Sequence, residues 1–338
     1  MSINKLNQFL ANTYENFPKG RFISLVVLRK TLSETIFRTE GSGEPICSEF
    51  VQAGVTETKV IQRLVMTKRK QVAPERRYGR EHLRAHQLLH ISKDSSLCSL
   101  NTNSPCEMCI DCFLYGFAAG GGGAQKSRIW TEDAFSLLAA SDVLGDRTIN
   151  AIFENGTMRD QNGNASTALN TSEYIKPEVH FLDVVTLKDV TADELRYIIG
   201  NILLTTRYGA VSSRVGRMEN QILGVFGSIT ELPSSLELVQ AVYDALPKPL
   251  EHPFNSDVLI GKTKEVLYNW KNKRGVSLHL SQDELSALIA DVDNSWSEDE
   301  RDNFLKRLNQ SYEPFRQVSA ESKKGKGKGK KTAVEAEA

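Results

Sequence analysis

At 338 residues and 40% hydrophobic side chains the chain can bury a substantial core, and its 42 basic and 42 acidic residues leave no overall field to attract nucleic acid. No run approaches the roughly 18 apolar residues of a membrane helix, and the opening MSINKLNQFLANTYENF lacks the apolar centre of a signal peptide. A cytoplasmic protein is expected, its five cysteines thiols or metal ligands rather than disulfides.

Charge is uneven along the chain. Between Arg63 and Arg84 eight Lys/Arg face two Glu, a local net of +6; between Asp283 and Asp302 eight acids face one Arg, a local net of −7. Such a chain can hold a polyanion on one surface and a neighbouring copy on another, the alternative being two solvated faces.

Residues 21–39 (RFISLVVLRKTLSETIFRT) are rich in β-branched side chains, with Ile23, Leu25 and Val27 alternating, and predict a long strand bent near Leu32. Next comes TKRKQVAPERRYGREHLR, punctuated by Pro74 and Gly79. It reads as an irregular loop whose Lys68, Arg69, Lys70, Arg76, Arg77 and Arg80 suit phosphates and whose Tyr78 suits a base, or else as a solvated loop. A helix is expected from about Arg80 to His90, its N-terminal amides able to face the same polyanion.

Cys106, Cys109 and Cys112 form two overlapping Cys-x-x-Cys steps, and Cys98 can return as a fourth ligand. This spacing places thiolates around one tetrahedral ion and predicts a structural zinc, with buried thiols the alternative. His82, His86 and His90, at i, i+4 and i+8, could replace one cysteine or form an exposed helical stripe.

Residues 129–138 read as a strand with a turn. DQNGN at 160–164 signals a hairpin tip, and its polar flanks predict that it projects. A strand is expected over 179–187. Thr191 with Glu194 forms a capping box for a helix whose Leu195, Ile198, Ile199, Ile202 and Leu203 share a face, with Gly209 placed to end it. Residues 225–227 read as strand, and Ser234 with Glu237 opens another helix that stops before Pro247. The last third is helical and acidic, and the Lys/Gly-rich tail from about 318 is too polar to fold. Gly261–Lys262–Thr263 imitates the end of a phosphate-binding loop but lacks the glycine five positions earlier, where Ser256 stands. Strands and helices in one body make the fold class α+β.

The stretch CEMCIDCFLYGFAAGGGGAQKSRIWTEDAF, with GREHLRA, YIKPEVHF and TTRYGAVSSRVGR, resembles the backbone subunits of CRISPR effector complexes, the RAMP superfamily (Cas-seven-like). The cysteine cluster combined with TTRYGAVSSRVGR is similar to the type I-D backbone family in particular. The resemblance implies an RRM-like (ferredoxin-like) core over 1–230, interrupted by a basic lid insertion at 50–80, a zinc-binding insertion at 81–120 and a thumb hairpin at 153–176. A helical region over 231–317 packs on that core, and 318–338 form a disordered tail.

The resemblance also implies copies assembled side by side on a CRISPR guide RNA within an antiviral, Cascade-type ribonucleoprotein that includes other subunits. The guide would pair with a target DNA or RNA strand. Arg128, Met158, Arg159, Arg214 and Arg217 join the RNA contacts, Met158 as an apolar wedge on the thumb. Related type III subunits cut target RNA with a loop aspartate, whereas the matching GSGEPICSEFVQAGVTETK holds only Glu44, Glu49 and Glu57. A scaffold without catalytic residues is therefore expected. The runner-up is a metal-dependent nuclease acting on the target strand, and a third reading is a stand-alone zinc-containing RNA-binding protein.

Overall fold

The computed structural model describes residues 2–15, 17–38, 46–119, 123–150, 152–154, 156–165, 169–211 and 214–316. A 3₁₀ turn over Ser2–Leu6 precedes β1 (Phe22–Thr31), β2 (Ser48–Gln52), β3 (Val60–Met66) and α1 (Lys68–Ala85). Then come α2 (Ile110–Tyr115), β4 (Phe117–Ala119), β5 (Gly123–Gln125), β6 (Ile129–Thr131), β7 (Ala134–Ala139) and α3 (Ala140–Val143). The long arm β8 (Leu144–Asn150) and β9 (Leu169–Ile175) leads to β10 (His180–Lys188), α4 (Ala192–Leu204), β11 (Arg207–Val211) and β12 (Arg214–Ser228). The chain continues through α5 (Ser235–Ala245), α6 (Ser256–Trp270), β13 (Val276–His279), α7 (Gln282–Trp296) and α8 (Arg301–Gln310).

One antiparallel sheet runs β11-β12-β1-β10-β7-β3-β2, with β13 added on β12 and β6 on β10. Its centre, β1, is buried at every position from Phe22 to Arg29, so both faces of the sheet are covered. Ile23, Leu25 and Val27 face a cluster built from α4, α7 and α8, whereas Val26 and Leu28 face one built from α5 and α6. This period of two, with apolar residues in both registers, is what a strand between two helical layers requires. Among the described residues no helix is long and apolar enough to cross a membrane.

Arg29 lies on the α4 side of β1, fully buried, and ties five elements together. Its guanidinium donates to Asp183 on β10 at 2.9 and 3.1 Å and to Glu75 on α1 at 2.8 Å. It also reaches Asn220 on β12 at 3.3 Å and Tyr208 on β11 at 3.4 Å. Burial opposes the charge on Arg29, but Glu75 and Asp183 outweigh it and hold the arginine firmly protonated. Burial likewise pushes both carboxyls up against the pull of Arg29.

Both expected capping boxes are present, Thr191–Glu194 on α4 and Ser234–Glu237 on α5. The DQNGN turn is also a tip: Asp160 accepts from the amides of Asn162 and Asn164, and Arg159 bridges Ala165 at the end of the β8–β9 arm.

Other expectations are corrected. The basic stretch is no irregular loop but helix α1, which runs through Pro74 and Gly79 and stops at Ala85 rather than His90. Pro74 forfeits one helical hydrogen bond, and burial of the turn containing it together with Glu75 offsets that loss. Gly79 is a contact point instead of a breaker, since a Cβ there would sit 2.4 Å from the Tyr197 hydroxyl on α4.

Gly209 does not end α4; it lies in β11 at φ +61°, against the Ile36 carbonyl. The strand at 225–227 is the end of the much longer β12, and the helical last third includes β13. Gly261–Lys262–Thr263 is mid-helix in α6, with the Thr263 hydroxyl donating to the Leu259 carbonyl. The stretch 50–80 holds β2, β3 and most of α1, and the tail from 317 lies outside the described residues.

Replacing Arg29 leaves two buried carboxyls facing each other, so Arg29→Met should destabilise the chain by about 3–5 kcal/mol in urea unfolding. Adding Glu75→Gln and Asp183→Asn should restore part of that. A loss below about 1 kcal/mol for the single change would contradict a central role for the network.

Candidate nucleic-acid and metal-binding site

α1 carries its cations on two sides. Lys68, Arg69, Arg77 and Arg84 are exposed, Lys70 is half-buried, and Arg76 and Arg80 turn inward to Asp111 on α2. Asp111 is 1% exposed and accepts from Arg76 at 3.0 and 2.8 Å and from Arg80 at 2.8 Å. Arg80 also donates to the Cys98 carbonyl, and Arg76 lies 5.1 Å from the centre of the Tyr115 ring. Burial would lower both arginines, but Asp111 more than compensates and keeps them charged. One carboxylate thus anchors two guanidiniums, and the pair of arginines keeps an excess positive charge.

Between α1 and segment 98–118 lies a cleft of about 670 Å³, lined by Arg69, Arg76, Arg77, Arg80 and Arg84 and closed by Leu100 and Asn101. Packed against it are four buried sulfurs, from Cys98, Cys106, Cys109 and Cys112, all within 4.8 Å of one another. The sulfur–sulfur separations are 3.8 Å for Cys106–Cys112, 3.9 Å for Cys98–Cys112 and 4.0 Å for Cys98–Cys109. A tetrahedral thiolate site with metal–sulfur bonds of about 2.3 Å has edges of about 3.8 Å. The sulfurs therefore fit a metal ion of that size.

The loop is built for it. Glu107 takes φ +64°, which turns the chain so that the amides of Met108 and Cys109 point at the Cys106 sulfur at 3.4 and 3.3 Å. Hydrogen bonds from the other thiols pull Cys98 well below the ordinary thiol value and hold Cys106 at about 7, while the same contacts push Cys109 and Cys112 up.

Among the described residues no histidine joins the four sulfurs. His82 packs edge-on against Tyr78 and Trp296, His86 pairs with Asp302 at 2.9 Å, and His90 contributes its carbonyl to the Cys98 amide.

Two of the arginines expected at RNA are held by carboxylates within the body. Arg80 is 2% exposed and held by Asp111. Arg128 grips Glu194, the capping residue of α4, and lies 4.6 Å from the centre of the Tyr14 ring. Their charge was visible in the sequence but not their partners, which lie 31 and 66 residues away. Asp111 itself carries no signal that spacing could reveal.

Elsewhere, Met158 and Arg159 sit at the exposed hairpin tip, with Arg159 donating to the Gly163 carbonyl. Arg214 opens β12, and Arg217 is exposed on it opposite Arg207. Glu44 lies outside the described residues; Glu49 is exposed on β2, and the Glu57 carboxylate accepts the Lys59 amide. Among the described residues the cysteine set is the single group of three or more metal-competent side chains.

An α+β body with an antiparallel sheet, a cationic cleft and a four-thiol loop is thereby defined. The family model described as Csc2 Crispr matches residues 9–305, and the chain belongs to that CRISPR family. The crystal structure of Thermofilum pendens Csc2 is similar at 18% identity, with 92% of this chain and 95% of that one covered and a TM-score of 0.58, a likeness of fold. A chain of a CRISPR RNA-guided surveillance complex aligns at 11% identity over 81% of this chain and 99% of its own, with a TM-score of 0.46. No curated protein matches the sequence.

If Asp111 holds the cysteine loop on α1, Asp111→Asn should make the four thiols react about tenfold faster with Ellman's reagent, a shift of about 1.4 kcal/mol in loop opening. An unchanged rate would show that the loop is held elsewhere.

Proposed function

We propose that this chain is the guide-RNA-binding backbone subunit of a type I-D CRISPR interference complex, several copies polymerising along one RNA and presenting it to a target DNA or RNA strand. The observation that carries this reading is the arginine cleft beside the cysteine loop, in a chain whose family is a CRISPR one. Helices α5 and α6 cover one face of the sheet and α4, α7 and α8 the other, so RNA meets edges and projections rather than an open sheet. Lys68, Arg69, Lys70 and Arg77 would take phosphates on α1, with Arg76 and Arg84 at the cleft and Arg214 and Arg217 on β12.

The core is read as RRM-like. Its support is the path β1–α1–β7–β10–α4–β12 with the four strands side by side in the order β12-β1-β10-β7. The β8–β9 arm would be the thumb, inserting Met158 as a wedge, and the β2–β3 hairpin, with Phe50 72% exposed, would supply the lid. The acidic run of α7 and α8 would meet the basic surface of a neighbouring copy.

The thiolates would hold zinc, which in a closed four-sulfur site holds the segment 98–112 together and leaves no open position for water. The protein is read as a cytoplasmic scaffold, because the stretch matching the cutting loop of related subunits offers glutamates and no aspartate, and Glu49 and Glu57 are exposed.

The test is a salt titration of guide-RNA binding. Lys68→Ala with Arg69→Ala and Arg77→Ala should lower the slope of log K against log salt by about 2, at about 0.7 for each single-strand phosphate. An unchanged slope would remove α1 from the RNA surface.

A further inference from the structure

A second cleft, of about 700 Å³, lies between α6, β13 and the start of α7 and shares no residue with the arginine cleft. Lys264, Tyr268 and Lys271, at i, i+4 and i+7, fall on one stripe of α6 and all line it. Tyr268 is 59% exposed, with the Lys271 ammonium 3.5 Å from its ring centre. Lys273 and Arg274 follow, exposed, in the turn before β13.

Within residues 262–274 five cations oppose a single acid, Glu265, which Lys262 already holds at 2.7 Å. The carboxylate lining the cleft, Glu284, is paired with Lys5. Below the stripe the wall is apolar, formed by Leu267, Leu280 and Leu285, while Asn272 and Ser277 offer hydrogen bonds at the rim.

A helix face that served only solubility would alternate Lys with Glu and would not leave a large ring in water. Cations flanking an exposed aromatic over an apolar wall match an unpaired base stacked on the ring with its phosphates on the lysines. A duplex hides its base faces, and an acidic peptide has no use for the ring. We propose that this cleft binds single-stranded nucleic acid, with Tyr268 as the stacking platform and Lys264 and Lys271 as phosphate contacts. The site is independent of the guide-RNA role given to α1.

The test uses the full chain already carrying Lys68→Ala, Arg69→Ala and Arg77→Ala, which lowers the α1 contribution, and reads this cleft from the further change that its own substitutions cause. Fluorescence anisotropy is measured with labelled oligo(dT) and oligo(U) of about 20 nucleotides, a length that spans more than one such site. Tyr268→Ala should weaken binding about fivefold or more while Tyr268→Phe retains it, as stacking requires. Lys264→Gln with Lys271→Gln should lower the salt slope by about 1.4. Ultraviolet crosslinking should place the oligonucleotide on the peptide containing Tyr268. Affinity for both oligonucleotides unmoved by Tyr268→Ala would overturn the proposal. So would oligoglutamate competing as well as unlabelled oligo(dT), which would make the surface one for acidic protein. Failure of the α1 changes to affect guide binding would sink that separate reading and leave this one to the Tyr268 result.

Discussion

The Arg29 guanidinium, buried with two carboxylates, is the contact on which the arrangement of the body depends. It joins four strands of the sheet to α1, so the basic helix cannot shift along the sheet without exposing or orphaning a charge. Breaking such a pair costs more than its formation gains, because the remaining charge stays buried. The position of α1 is therefore specified by electrostatics, while the apolar layers on either side supply the bulk of the stability.

From that fixed helix the rest of the site follows outward. Arg76 and Arg80 reach from α1 to Asp111, and Asp111 lies in the first turn of the short helix that carries Cys112. The segment is thus attached twice, once by these ion pairs and once by Ile110, Phe113 and Leu114, which are buried in the same apolar cluster as α4. The balance of 42 basic and 42 acidic residues over the whole chain conceals a local surplus of arginine in this cleft. Local geometry, not net charge, sets the electrostatic character of this cleft.

Local signals in the sequence were legible and nonlocal ones were not. Capping boxes at Thr191 and Ser234 and the Asn-Gly turn act within four residues, and all three appear where the residues place them. Cysteine spacing identified the metal-competent set for the same reason. Pro74 and Gly79 misled, because each reads locally as a breaker while Glu75 and Tyr197 hold the helix from afar. Arg80 and Arg128 show the same limit: a charge is visible in a sequence, but a partner on another helix is not. The Lys264–Tyr268–Lys271 stripe had a readable period and was obscured by the acidic composition of the C-terminal third that surrounds it.

The central claim is that copies of this chain gather on a single RNA. Native mass spectrometry of the chain purified with and without a co-expressed CRISPR transcript tests it directly. The account predicts a particle containing several copies and one RNA, collapsing to single chains after ribonuclease treatment. A single chain in both preparations, with no RNA retained, would contradict it.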